Sequence, residues 1–142
     1  MKSVSGLLIL LFAAMFSLGQ RTACAQACQD EETMFQTSLK EVSDLVDSVK
    51  KENVSDFQNH YHQKSYLSKA TFLVSVVGGL VDCLEKAAQD ATASKEQADS
   101  YKSKRESYTK LKSKVEQDKN AVKSTDDAKG AKALIEKMSL SS

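Results

Sequence analysis

Apolar residues recur along this chain at intervals of three and four, the spacing of one helical face. From Phe35 the series runs through Leu39, Val42, Val46 and Val49, and Met34 and Leu45 widen the stripe. Asp30-Glu31-Glu32 stand just ahead of it, where acids favour a helix N-terminus through its dipole. The pattern predicts a first helix over about 30–52. Past Val49 the stripe breaks at Asn53, and Phe57 and Tyr61 continue it raggedly. A second series, Tyr66, Ala70, Leu73, Val77, Leu80, Leu84 and Ala87, predicts a helix over about 65–89, with Phe72, Val76 and Cys83 on a second face. A helix apolar on two faces belongs inside a core. Taken alone, Thr71 to Val77 also reads as a buried strand, because β-branched side chains favour strands. The same spacing running on to Ala87 decides for the helix. Gly78-Gly79 weakens it by ~1 kcal/mol per glycine relative to alanine and suits a close approach of a neighbouring helix or a kink.

A small-polar patch at Gln89 to Ser94 ends that segment, and Ser94-Lys95-Glu96-Gln97 has the form of a capping box. Beyond it comes a seven-residue beat, Tyr101, Tyr108, Val115 and Val122. Only Leu111 fills an intermediate position, while Lys104 and Asp118 occupy others. The expectation is a polar third helix over 94–122 carrying a thin coiled-coil-like seam. Ser124-Thr125-Asp126-Asp127 signals another cap, and Ala131, Leu134, Ile135 and Met138 predict a short helix over 126–139. The chain has no proline and only three glycines after position 25, so long helices meet no obligatory breaker. The predicted fold class is all-α, an antiparallel bundle of three to four helices.

The N-terminus changes the picture of where this bundle works. Lys2 is followed by an uncharged run from Leu7 to Leu18, then Gly19-Gln20-Arg21-Thr22 and Ala23-Cys24-Ala25. These are the n-region, h-region and A-x-A site of a cleaved signal peptide over 1–25. The h-region helix covers about 18 Å, short of a ~30 Å hydrocarbon core. An uncleaved anchor is the alternative, and a lipoprotein acylated at Cys24 or Cys28 is a weaker one, since neither has Leu three positions before it. Cleavage starts the mature chain at Gln26 and leaves 117 residues, one domain over 26–142. The later apolar stretch, Thr71 to Leu84, is short for a membrane span and broken by Ser75, Gly78-Gly79 and Asp82. No stable membrane insertion is expected after cleavage. The mature charge of 18 bases against 19 acids gives no support to a nucleic-acid partner.

Cleavage after Ala25 leaves two cysteines, Cys28 and Cys83. In an oxidising compartment an isolated pair most simply forms one disulfide, with a stabilisation of roughly 3–4.5 kcal/mol from loop closure. The alternative is a buried free Cys83 with Cys28 near a loose terminus, and cleavage after Ala23 would leave Cys24 as an extra thiol. An up-down helix pair sets the two cysteines apart in this reading, unless the chain before Asp30 folds back or the first helix runs longer. Asn53-Val54-Ser55 is the only glycosylation sequon. A small secreted bundle with a helix-linking disulfide resembles, in architecture alone, plant extracellular inhibitors of cell-wall enzymes. Those carry a further cysteine pair near the N-terminus that this chain lacks, and no residue role carries over.

Candidate chemistry is sparse. His60-Tyr61-His62 is the only histidine cluster. On a helix its imidazoles point ~200° apart, and zinc needs three or four ligands. Exposed histidines near an inter-helix loop are the expectation, with no metal and no cofactor. No serine sits in a nucleophile elbow, and Cys83 lies on an apolar face where thiols are inert. The chain therefore reads as a non-enzyme. Tyr101 to Lys119 carries seven bases against three acids, while Gln26 to His60 carries eight acids against three bases. Lys102, Lys104, Arg105, Lys110, Lys112 and Lys114 are candidate contacts for an acidic glycan, and opposed helix charges setting register within the fold are the competing explanation. The function expected is a secreted, non-catalytic helical protein acting by extracellular protein–protein contact. Alternatives are a carrier of a small apolar ligand such as lipid, lined by Phe35, Leu73, Val77 and Leu80, and a membrane-surface or host-directed effector.

Overall fold

The computed structural model describes the backbone of residues 5–51 and 56–138 and the side chains of 28–51 and 60–138. Four α-helices follow one another: α1 (Ser5–Lys51), α2 (Asp56–Gln89), α3 (Lys95–Lys123) and α4 (Ala128–Glu136). Among the described residues there is no strand, so the all-α class holds and Thr71 to Val77 is helical. α1 starts well before Asp30. Nothing between Ser5 and Lys51 interrupts an α-helix, since the segment holds no proline. Likewise α2 begins near Asp56, about three turns before Tyr66. The proposed sugar site at Asn53 lies outside the described residues.

Cys28 of α1 is bonded to Cys83 of α2, with 5.8 Å between their Cα atoms. This corrects the expectation that an up-down pair separates them. In an antiparallel hairpin the start of the first helix lies beside the end of the second, and these cysteines sit at nearly equal distances from the reversal. The register is the same further along, where Lys69 Nζ meets Glu41 Oε2 at 2.7 Å. α3 runs antiparallel to α2: Arg105 faces Glu85 near one end, and Gln63 Nε2 donates to the Val122 and Thr125 carbonyls at the other, 3.2 Å each. Gln63 thus ties α2 to the end of α3 and the turn that follows it. The capping box at Ser94 and Gln97 forms with both of its bonds. Asp127 caps α4 by accepting from the Lys129 and Gly130 amides.

Every residue of the two long stripes, Phe35 to Val49 and Tyr66 to Ala87, is buried. Val115, Val122, Ala131, Ile135 and Met138 complete the core. The second face predicted on α2 divides, with Val76 buried but Phe72 55% exposed. α2 is the central helix, packed on α1, α3 and α4, while the backbones of α1 and α3 come nowhere within 8 Å of each other among the described residues. Length and composition alone would let His60–Gln89 cross a membrane, its most apolar window having a mean hydropathy of 1.6. Confining the apolar stretch to Thr71–Leu84 understated this helix; in the fold its stripe is covered by the other three helices. α2 passes Gly78-Gly79 without interruption. Gly79 makes room for a side chain, since a Cβ there would meet the Glu31 carboxylate at 3.2 Å, whereas one on Gly78 would meet Lys112 Nζ at an ordinary 3.6 Å.

Candidate functional site

Because α2 stands between them, α1 and α3 leave a seam open on its front. α4 fills one end of that seam. It returns along α3, placing Leu134, Lys137 and Met138 beside Lys114, Asp118 and Ala121, and Lys50 Nζ on α1 donates to the Met138 carbonyl at 3.1 Å. Nine residues of helix cover only ~13 Å, about a third of the length of α3. Toward the disulfide end the seam stays open as a groove of about 310 Å³ lined by Phe35 and Gln36 of α1 and by Ser103, Lys104, Ser107, Tyr108 and Leu111 of α3.

The floor of this groove is aromatic and aliphatic. Phe35 and Tyr108 meet edge to face, with ring centroids 5.0 Å apart and planes at 72°, the geometry that a ring quadrupole favours. Tyr108 donates its hydroxyl to Glu32 Oε1 at 2.9 Å, and Lys104 Nζ lies 3.4 Å from the same oxygen. Burial pushes the Tyr108 phenol up to about 12, and the Glu32 carboxylate that accepts its proton adds to the effect. α1 and α3 are therefore joined across the seam by long side chains. Beside α4, Asp118 holds its proton more tightly than an ordinary carboxyl because it is partly buried, an effect Lys114 opposes. Buried Tyr66 is raised in turn, by burial first and by Asp118 second.

The six candidate bases of α3 do not form one strip. Arg105 Nε lies 3.9 Å from Glu85 Oε2 on α2, and Lys112 reaches over Gly78 on the same side. Lys104 is at the groove with Glu32 of α1, Lys102 lies 3.8 Å from Asp99 on its own helix, and Lys110 is exposed beside Arg105, Glu106 and Thr109. Lys114 borders the α4 pocket. Two of the six thus pair with acids of neighbouring helices. The residues proposed to line an apolar-ligand cavity are also divided: Leu73, Val77 and Leu80 are sealed in the core, and only Phe35 reaches the groove.

The histidines differ from the expectation that both are exposed. His60 is exposed, but His62 retains 8% of its surface. The reason is the early start of α2: His62 lies one turn before Tyr66 and belongs to the buried stripe, while Tyr61, its edge-to-face neighbour at 5.8 Å, points out. Among the described residues no three His, Cys, Asp or Glu side chains gather as a metal site. The groove itself was missed in the sequence. Its one legible signal was the half-filled beat of α3, where Leu111 alone occupies an intermediate position between Tyr108 and Val115. Comparison with known proteins finds no matching family model, no matching curated protein and no matching solved structure.

Proposed function

We propose that the mature chain is an extracellular, non-catalytic helical protein that acts by contact with another protein. The observation carrying this reading is the open groove between α1 and α3, an apolar floor with a polar rim, near the disulfide that joins α1 to α2. Interface centres have this anatomy of aromatic anchors within a polar surround. The bridge also suits an oxidising compartment, in keeping with the signal-like leader. The test is expression of the full chain in secreting cells, N-terminal sequencing of the product, and affinity capture from extracellular fluid with the oxidised protein. The expected result is a product starting at Gln26 and a saturable, stoichiometric protein partner. A cytosolic product starting at Met1 overturns the reading. The second reading, a carrier of a small apolar ligand, draws on the groove's volume of about 310 Å³, at the lower end of ligand sites; stoichiometric lipid extracted from the secreted protein would support it.

A further inference from the structure

We infer that the outer face of α2, on the side away from the groove, pairs with the same face of a second copy of this chain in an antiparallel, two-fold symmetric dimer. This surface is separate from the groove, and the inference is independent of what the groove binds. α1, α3 and α4 cover three sides of α2 and leave the fourth open. Lys64, Ser68, Thr71, Phe72, Ser75 and Asp82 are all exposed along it, at spacings that keep them on one side of the helix. Phe72, 55% exposed, lies at the middle. Glu31 and Glu41 of α1 reach the same side of α2 at Gly79 and Lys69. Met34, spaced 3 and 7 from those acids and 49% exposed, adds a second apolar side chain there.

The order of residues identifies the occupant, because the face is complementary to itself when reversed. Lys64 and Asp82 stand nine positions either side of Leu73. Eighteen residues make five full turns, so the two charges lie on one line along the helix. Among the described residues neither meets an opposite charge, whereas Lys69 and Glu85 are paired with Glu41 and Arg105. Reversing a second α2 about Leu73 sets each Lys64 against Asp82 of the other copy, twice over by symmetry. A parallel arrangement would set lysine on lysine and aspartate on aspartate, so the charges fix direction and register. The same reversal lays Thr71 on Ser75 and Ser68 on Gly78, small residues that let two helices approach closely. It also brings the two Phe72 rings together beside the axis. Toward the ends Tyr61, 65% exposed, meets Lys86 of the other copy, ring against ammonium. Of the flanking helices, α1 brings Glu31 and α3 brings Lys112 to the edges of the face, one charge of each sign.

Sedimentation equilibrium of the oxidised, mature protein from micromolar to millimolar concentration tests the proposal. The expected result is a monomer–dimer equilibrium with no larger species. Phe72→Ser, Lys64→Asp and Asp82→Lys, each alone, weaken the dimer roughly tenfold or more without lowering the Tm of the dilute monomer. Mixing the Lys64→Asp and Asp82→Lys chains in equal amounts restores association to the wild-type level, because the mixed pair again sets opposite charges together at both sites. A merely structural role for either residue would not produce that recovery. A wild-type protein that stays monomeric at millimolar concentration overturns the inference. So does a dimer indifferent to Phe72→Ser, or a mixture of the two charge variants that associates no better than either alone. Flotation of the monomer with phosphatidylcholine vesicles, abolished by Phe72→Ser and without self-association, would assign the face to a lipid surface and equally refute the dimer.

Discussion

At the α4 end of the molecule, Val46, Val49, Tyr66, Val115, Val122, Ala131 and Ile135 are buried together in one core. At the disulfide end, Phe35 is also buried, but Tyr108 and Leu111 remain partly exposed and border the groove. A fourth helix fills the α1–α3 seam at one end; at the other the seam stays open, and the disulfide pins α1 to α2 behind it. The two ends are thus secured differently, one by packing and the other by a link that does not depend on packing. Hydrophobic closure needs partners on every side, whereas a disulfide acts mainly by restricting the unfolded chain.

Breaking the covalent end has the largest expected effect. Cys28→Ser with Cys83→Ser opens a link between positions 55 apart and costs about 4 kcal/mol by loop-closure entropy, measured by guanidinium unfolding. Hydrogen exchange should rise first near Cys28–Phe35 and Leu80–Ala87. Equal acceleration around Ile135 would mean that the two ends are not independently closed. Next is the packed end: Ile135→Ala removes a fully buried side chain and costs about 3 kcal/mol, while Leu111→Ala at the groove costs about 1 kcal/mol, because water already reaches the site and little cavity is left. Equal losses would refute the distinction.

A smaller effect separates the ends by pH. The folded Tyr108 phenol is pushed up to about 12, above its unfolded value near 10. The folded state thus keeps a proton that the unfolded state has begun to lose, so this contribution is fully present below pH 10 and falls as pH rises toward 12. Tyr66 shifts in the same direction. Tyr108→Phe should flatten part of the alkaline fall in unfolding midpoint between pH 10 and 12; an unchanged slope would leave Tyr66 as its main source. The smallest effect is a gain. Gly78→Ala should stabilise by ~0.5 kcal/mol, since helix propensity improves and the new methyl meets only Lys112 Nζ at an ordinary 3.6 Å. At Gly130 the same change meets Thr125 Cγ2 at 2.9 Å, and the gain should vanish or reverse.

Most of the core was legible along the chain because burial on a helix repeats at 3.6 residues, and the spacing of Phe35 to Val49 and of Tyr66 to Ala87 keeps to it without a gap. The capping box at Ser94 was legible too, since its partners lie three residues apart. His62 was not, because its burial depended on α2 starting at Asp56, ahead of any unbroken stripe. Phe72 and Val76 carry similar apolar signals, and only the packing of the helices around α2 decided which one water reaches.

What the sequence determined by itself, then, was which residues turn inward, where two of the caps lie, and that the chain is helical. These are local properties, written in the identity of residues three, four or seven positions apart. The tertiary structure alone decided the register of Cys28 against Cys83, the pairing of Lys104 and Arg105 with acids on α1 and α2, and the groove between α1 and α3. A groove is a gap between elements, set by the separation of helices whose backbones stand apart, and no spacing within one helix encodes it.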